Sequence, residues 1–141
     1  MHEFTLRVRY ADTDQMGFAY YGNYLPWFEI GRAEMLRSLG RSYRDIEAVG
    51  VSLPVLAVQC RYLEPARYDD EVRIETGVER LARASVRFGY RIVRARDGEL
   101  LARGWTEHCF LGREGKPVRP PSELSGLLEK APPAAPSADG A

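Results

Sequence analysis

Two carboxylates in one short polar turn are the side chains best suited to chemistry in this 141-residue chain. Asp12 and Asp14 are separated by one threonine, and Gly17 follows in the same turn. A helix is predicted immediately afterwards, and its first N–H groups have no acceptor within the helix and lie at the positive end of its dipole. Such a helix start could polarise a carbonyl oxygen while Asp12 or Asp14 acts on the carbonyl carbon.

The helix after this turn is predicted from the spacing of its apolar residues. From Tyr24 to Leu39 they recur at intervals of three and four, which places them on one face. Asn23 is the expected N-cap, and Gly40 lies where a glycine commonly ends a helix. Gly31 falls on the apolar face, where the lack of a side chain would let a sheet approach closely.

Strand patterns surround this helix. Residues 4–10 alternate apolar and polar side chains, and four further strand patterns follow Val51. Turn signals stand at Asp69-Asp70 and at Asp97-Gly98. One long helix with five strand patterns favours an α+β fold in which an antiparallel sheet packs on a single helix.

The length predicts one domain, covering residues 1–130. Short helices are expected within residues 42–50 and 122–131, where Ser42 and Ser122 are candidate caps. Residues 131–141 are rich in Ala and Pro and are predicted to form a disordered tail.

Composition argues against several classes of partner and cofactor. Lys plus Arg and Asp plus Glu both number 20, so no excess charge points to a nucleic-acid or membrane surface. The chain has no apolar run of about 18 residues and no signal-peptide pattern, which predicts a cytoplasmic protein. Cys60 and Cys109 lie far apart and lack metal-ligand spacing, so we expect neither a disulfide framework nor a metal site.

The motifs between Tyr10 and Gly40 follow the order D-T-D, Gly17, Y-x-N-Y and F-E-x-x-R-x-E-x-L-R. This order resembles the 4-hydroxybenzoyl-CoA thioesterase branch of the hotdog-fold superfamily, a group of small acyl-CoA thioesterases. The resemblance returns at residues 65–76 and extends more loosely over residues 4–118. It implies a hotdog fold, with an antiparallel sheet wrapped around one long central helix, and hydrolysis of an acyl-CoA thioester to a carboxylic acid and free CoA.

The same resemblance implies roles for individual residues. Asp14 matches the family's catalytic carboxylate, and the backbone N–H of Tyr21 matches the group that polarises the carbonyl. Many bacterial members have histidine at the position of Tyr21, so no role of that histidine carries over. Asp14 would attack the carbonyl or take a proton from water, and both routes remain open. We interpret Asp12 as structural.

Three residues near the turn are candidates for substrate binding. Gly17 could let a ligand approach the backbone or could serve only the turn. Tyr20 and Tyr24 could line an acyl pocket or belong to the core, and the sequence favours neither alternative.

Coenzyme A is expected as part of the substrate, so no resident cofactor is predicted. Related proteins hold its nucleotide at a hairpin that here carries Arg80, Arg83 and Ser85. The resemblance also implies a homo-oligomer, either a dimer or a dimer of dimers, with active sites across the dimer interface.

Two other functions are compatible with the same fold. A non-catalytic acyl-CoA-binding or assembly module would not need a carboxylate at the thioester carbonyl. A hydratase or dehydratase would need a histidine beside the central helix, and the chain contains only His2 and His108. The sequence therefore favours the thioesterase over both.

Overall fold

A computed structural model describes residues 1–135, which form one antiparallel sheet and three α-helices. The strands are β1 (His2–Arg7), β2 (Val55–Tyr62), β3 (Glu71–Leu81), β4 (Ser85–Arg94) and β5 (Leu100–Cys109). The helices are α1 (Tyr24–Ser38), α2 (Tyr43–Ala48) and α3 (Ser122–Lys130). The sheet order is β1-β3-β4-β5-β2, and every neighbouring pair is antiparallel. The predicted α+β architecture is confirmed.

The core lies between α1 and one face of the sheet. On this face the ring of Phe28 from α1 stacks on Tyr90 of β4, with centroids 4.3 Å apart. Gly31 permits the close approach predicted for it, because a Cβ there would lie 2.6 Å from the Ile74 side chain on β3. No helix within residues 1–135 is long and apolar enough to cross a membrane.

The C-terminal end of α1 follows the sequence prediction. Gly40 has a φ of 96°, a conformation that favours glycine. Its N–H donates to the Arg37 carbonyl over 2.9 Å, and the Arg41 N–H donates to the Leu36 carbonyl over 3.1 Å. These two bonds form a Schellman motif, which satisfies carbonyls that the helix leaves open.

The predicted helix caps had mixed outcomes. Ser42 caps α2 as expected and forms a capping box with Asp45. The Asn23 side chain does not cap α1, because a 3₁₀ turn at Tyr21–Asn23 runs directly into the helix and gives Asn23 a helical backbone. Ser122 is already the first residue of α3, so it does not cap that helix either.

The predicted disordered tail is wrong for residues 131–135. The N–H of Val78 in β3 donates to the Pro132 carbonyl over 2.9 Å, and the Ala134 N–H donates back to the Val78 carbonyl over 3.0 Å. Strand β1 covers β3 only as far as Thr76, so the backbone of Val78 lies open on that edge and the C-terminal segment pairs with it. Backbone pairing needs no apolar side chains, which is why composition failed to predict it. Residues 136–141 lie outside the described part of the chain.

Candidate active site

Hydrogen bonds to one carbonyl group fasten the D-T-D turn to the beginning of α1. The carbonyl oxygen of Asp12 accepts the Tyr20 N–H over 2.8 Å and the Asn23 side-chain amide over 2.7 Å. Asn23 therefore connects the turn to the helix instead of capping the helix. These bonds hold the turn against the residues that lead into the helix.

The loop that carries Asp14 is closed by its own backbone. Thr13 and Ala19 form an isolated antiparallel bridge, and the Asp14 N–H donates to the Phe18 carbonyl over 3.1 Å. Gly17 donates its N–H to the Asp14 carbonyl over 3.0 Å and has a φ of 88°. This φ lies in the range that favours glycine, so Gly17 serves the turn, and the tight loop restricts the position of Asp14.

The two carboxylates of the turn lie in different environments. Asp12 is 8% exposed, and its carboxylate accepts hydrogen bonds from the Arg9 backbone N–H at 2.8 Å and the Arg9 guanidinium at 2.9 Å. Burial by itself would raise the pKa of Asp12, but the hydrogen bonds from Arg9 outweigh burial and hold this pKa below its ordinary value. Asp14 is half-buried, and only its Oδ1 atom has a partner among the described residues, the Met16 N–H at 2.9 Å. The second carboxylate oxygen of Asp14 is therefore open to a substrate or to water.

Asp14 lines an open cleft of about 400 Å³ at the beginning of α1. Of the residues predicted for the site, Tyr21 and Tyr24 line the same cleft. Gly17 and Tyr20 are close in sequence but do not form part of its wall. The Tyr20 ring is 47% exposed and lies 4.8 Å from the Tyr21 ring, at the edge of the cleft. The substrate-binding role of Gly17 and Tyr20 stays a prediction.

The backbone beside the cleft carries two open donors. In the 3₁₀ turn, the Asn23 N–H donates to the Tyr20 carbonyl and the Tyr24 N–H to the Tyr21 carbonyl. The N–H groups of Tyr21 and Gly22 donate to no acceptor in residues 1–135. Open N–H groups at a helix start can bind negative charge that develops on a carbonyl oxygen.

The sequence did not reveal one wall of the cleft, which follows the end of β2. The Tyr62 ring lies edge-on to the Tyr24 ring, with centroids 5.0 Å apart, and the Tyr62 hydroxyl donates to the Tyr21 carbonyl over 3.0 Å. The other residues of this wall are Leu63, Glu64 and Pro65. A partial signal existed, because Pro65 begins the second segment that resembles the thioesterase family.

Within one chain, the residues predicted to bind the CoA nucleotide are far from the cleft. They belong to the hairpin between β3 and β4 and are Arg80, Arg83 and Ser85. Tyr62 at the cleft pairs with Ala102 of β5, whereas Ser85 pairs with Cys109 at the far end of that strand. Seven residues of strand correspond to about 23 Å. A single chain therefore does not bring the hairpin to Asp14.

Neither histidine lines the cleft. His108 is fully buried in the sheet, where its ring nitrogens contact the Leu53 carbonyl at 3.0 Å and the Thr106 hydroxyl at 2.8 Å. His2 is on β1. Residues 1–135 contain no cluster of three or more His, Cys, Asp or Glu side chains placed to hold a metal ion. The arrangement therefore gives no support to the hydratase alternative, which needs a histidine at the site.

Comparison with known proteins places this geometry in a family. A family profile described as the thioesterase superfamily matches residues 16–101, more than half of the chain. YneP of Bacillus subtilis strain 168, which carries a provisional name as an acyl-CoA thioesterase, is 36% identical over 115 residues, covering 81% of this chain and 83% of YneP. YbgC of Escherichia coli O6:H1, named an acyl-CoA thioester hydrolase, is 37% identical over 90 residues, covering 64% of this chain and 67% of YbgC.

A solved structure agrees with these sequence relationships. The DHNA-CoA thioesterase from Staphylococcus aureus superimposes with a TM-score of 0.85 at 32% identity, covering 91% of this chain and 88% of that one. The match includes the long helix and the wrapped five-stranded sheet that hold the cleft. Sequence profile, relatives and fold agree, and the chain therefore belongs to the thioesterase superfamily, as a hotdog-fold enzyme that hydrolyses thioesters.

Proposed function

We propose that this protein hydrolyses acyl-CoA thioesters to a carboxylic acid and free CoA, with Asp14 acting at the thioester carbonyl. One observation carries the proposal: the cleft wall combines a carboxylate that has an open oxygen, on Asp14, with Tyr21, whose N–H is unpartnered in the described residues. The names of the relatives YneP and YbgC support CoA as the thiol component.

In this proposal the open backbone N–H of Tyr21 binds the carbonyl oxygen of the thioester. That oxygen gains negative charge as the carbonyl carbon becomes tetrahedral, and an N–H fixed by a helix start stabilises this charge without reorganising. The C–S bond then breaks and releases a thiolate, whose conjugate thiol has a pKa of about 8.5. Departure of such a group requires little help from an acid, which agrees with the lack of a histidine in the cleft wall.

Asp14 has two possible roles in this scheme. As a nucleophile it attacks the carbonyl carbon and forms a mixed anhydride, which water then hydrolyses. As a general base it takes a proton from water, and the resulting hydroxide attacks the carbonyl directly. Incorporation of ¹⁸O from labelled water into the Asp14 carboxylate would establish the nucleophilic route, because only hydrolysis of an anhydride at the Asp14 carbonyl carbon places a water oxygen there.

The cleft wall suits an apolar acyl group. Its aromatic members include Phe18, Tyr24 and Tyr62, and we propose Tyr24 as a substrate contact, with Gly17 and Tyr20 at the entrance. Tyr24 has a structural role as well, because its hydroxyl accepts the Ala66 N–H over 3.2 Å. The two interpretations of Tyr24 from sequence, pocket and core, therefore do not exclude each other.

A homo-oligomer would complete the site. Strand β2 is at the edge of the sheet, and its exposed apolar side chains include Val55, Leu56 and Val58. An open edge with apolar side chains favours pairing with a second copy of the chain. If two β2 strands pair antiparallel, the first residues of one strand lie beside Tyr62 of the other.

This pairing would also supply the CoA contacts. Val55 pairs with His108 at the end of the sheet where the β3–β4 hairpin lies, so the partner's hairpin would approach the cleft. We propose that Arg80, Arg83 and Ser85 of the partner subunit hold the nucleotide, since the forked donors of arginine suit phosphate. An acyl-CoA substrate is also compatible with the cytoplasmic location predicted from the sequence.

The proposed catalytic role is tested by Asp14→Asn in an assay of thiol release over a panel of acyl-CoA substrates. We expect wild-type turnover of at least one substrate and a fall in kcat of about a thousandfold or more in the variant, because the amide can neither attack nor accept a proton. The midpoint of thermal unfolding should stay within about 2 °C of the wild-type value, since Asp14 is half-buried and makes one local hydrogen bond.

Two results would contradict the proposal. Turnover that survives Asp14→Asn would remove Asp14 from the mechanism. A wild-type protein that binds acyl-CoA in calorimetry but cleaves no member of the panel would favour the binding module.

The CoA contacts are tested with Arg83→Ala and two substrates that share one acyl group. Arg83 is exposed, and its loss should raise KM for the acyl-CoA about fivefold but leave KM for the acyl-pantetheine thioester unchanged, because the latter lacks the nucleotide. Lys116→Ala removes an exposed charge from the turn after β5 and is the control. Equal effects of Arg83→Ala on both substrates would exclude a nucleotide contact.

A further inference from the structure

The Tyr62 hydroxyl contacts the cleft backbone next to the proposed oxyanion donor. Tyr62 is the last residue of β2, and its hydroxyl donates to the Tyr21 carbonyl oxygen over 3.0 Å, between residues 41 positions apart. The peptide unit is planar and trans, so its C=O and N–H groups point in opposite directions. A bond that holds the Tyr21 carbonyl therefore fixes the direction of the Gly22 N–H and limits rotation about Tyr21.

The Tyr62 side chain is itself held in place. Its ring lies edge-on to Tyr24 at 5.0 Å and to Tyr21 at 6.2 Å, both at an interplanar angle of 86°. The N–H groups of Leu63 and Glu64 both donate to the Leu101 carbonyl, at 2.9 and 3.1 Å, which anchors the end of β2 to β5. Because both its ring and its backbone are anchored, the Tyr62 hydroxyl can hold the Tyr21 carbonyl in place.

The Tyr62 phenol is also a reliable donor. Partial burial is the largest cause that raises its pKa above the ordinary value, and the neighbouring Cys60 contributes in the same direction. The phenol therefore keeps its proton throughout the neutral pH range. Since a carbonyl oxygen can only accept, the proton of this hydrogen bond comes from Tyr62.

We infer that Tyr62 is a positioning residue for thioester hydrolysis. Its hydroxyl holds the Tyr21–Gly22 peptide, which fixes the direction of the open Gly22 N–H and, by limiting rotation about Tyr21, that of the adjoining Tyr21 N–H toward the substrate carbonyl. The inference rests on the proposed function. Tyr62 acts through Tyr21 and does not need to touch the reacting atoms. If the Tyr62 hydroxyl is removed, the 3₁₀ turn keeps its two backbone bonds, to the Tyr20 and Tyr21 carbonyls, but the Tyr21–Gly22 peptide can tilt.

The test is Tyr62→Phe, which keeps the ring contacts and removes the hydroxyl. We expect kcat to fall on the order of tenfold to a hundredfold, with KM within about twofold, because a misdirected oxyanion donor weakens the transition state more than the bound substrate. Tyr68→Phe is the matched control, since Tyr68 is 58% exposed and its hydroxyl has no hydrogen-bond partner in residues 1–135. That control should keep both wild-type constants.

A second measurement does not depend on activity. In ¹⁵N-labelled protein without substrate, Tyr62→Phe should shift the Tyr21 and Gly22 amide resonances. It should also speed hydrogen exchange at least threefold for the Tyr24 amide, which donates to the same Tyr21 carbonyl. The amide of Tyr90, in the middle of the central strand β4, should be unchanged. This pattern separates local loosening of one peptide from general destabilisation.

The possible outcomes distinguish the inference from the proposed function. If Asp14→Asn abolishes turnover but Tyr62→Phe keeps the wild-type kcat, the positioning role is overturned and the hydrolase stands. A rise in KM alone would also overturn it, because Tyr62 would then be a substrate contact. If Tyr62→Phe leaves the Tyr21 and Gly22 amide resonances unchanged, the positioning role of Tyr62 is overturned whether or not any acyl-CoA is cleaved.

Discussion

Two polar regions adjoin α1, and they differ in how completely their groups are hydrogen-bonded. At the first turn, the cleft leaves one Asp14 oxygen and the N–H groups of Tyr21 and Gly22 without partners in the described chain. At the middle of the helix, Arg32 begins a chain of hydrogen bonds that crosses the sheet and ends at the Leu53 carbonyl. The same helix thus supports an open site and a closed network.

In the closed network, the donor and the acceptor of every hydrogen bond follow from its end at the Leu53 carbonyl. The Leu53 carbonyl can only accept, so His108 Nδ1 carries the proton and Nε2 accepts from the Thr106 hydroxyl. Thr106 in turn accepts from the Tyr90 hydroxyl at 2.6 Å, and Tyr90 accepts from Arg32 at 3.4 Å. Burial is the main cause that lowers the pKa of His108, to about 4, which agrees with a neutral ring in this chain.

Exposure explains the difference between the two regions. Open groups in the cleft can bind water until a substrate replaces it, so their lack of protein partners costs little free energy. His108 and Thr106 are 0% and 4% exposed, so a missing partner there would cost about 1–3 kcal/mol for each group. Changes in the network should therefore lower stability, whereas changes in the cleft should lower activity.

Replacement of Thr106 by valine should have the largest effect on stability. Valine has a similar shape but leaves the Tyr90 proton and His108 Nε2 unpaired, which should lower the free energy of unfolding by about 3–4 kcal/mol. Urea denaturation measures the change, and Thr5→Val on the exposed side of β1 is the control, with an expected change under about 0.5 kcal/mol. A large loss of kcat in folded Thr106→Val would contradict the claim that the network affects stability and the cleft affects activity.

Acid should weaken the network through His108. The unfolded chain takes up a proton near pH 6.5, whereas the folded protein takes it up only near pH 4. The stabilisation is therefore complete above pH 6.5 and declines as pH falls, with a loss of about 3 kcal/mol by pH 4.

The pH effect is isolated by comparing wild type with His108→Gln in urea at several pH values. The two proteins differ only at residue 108, so the difference in their unfolding free energies should shrink between pH 6.5 and pH 4. Parallel pH curves for the two proteins would show that His108 is not the titrating group.

Asp12→Asn should have the smallest effect and sharpens the contrast with Asp14. The variant loses the charge that faces Arg9, and because the Arg9 side chain is 75% exposed we expect a loss of about 1 kcal/mol at neutral pH. The pKa of Asp12 is lowered in the folded state, so its contribution is present above about pH 4 and disappears as pH falls through the folded value. Turnover should change less than tenfold, in contrast to Asp14→Asn.

Local sequence determined most of the fold. Alternating side chains predicted β1, β3 and β4, and extended apolar runs predicted β2 and β5. Helical spacing predicted α1 with Gly31 against the sheet and Gly40 at its end. These features depend on residues a few positions apart, where side-chain direction follows directly from backbone periodicity. The motifs around Asp14 and Tyr21 were likewise readable, because they occupy one continuous segment.

Only the tertiary structure decided which distant groups meet. It brought Tyr62 to the Tyr21 carbonyl, aligned the hydrogen bonds from Arg32 to His108, and paired the C-terminal segment with Val78. Within the turn, the local backbone directs Asp12 to Arg9, three positions away, and leaves Asp14 half-open, although the two residues have the same side chain. Each of these contacts depends on the direction of a single group after the chain has packed, and hydrophobic periodicity carries no information about that direction.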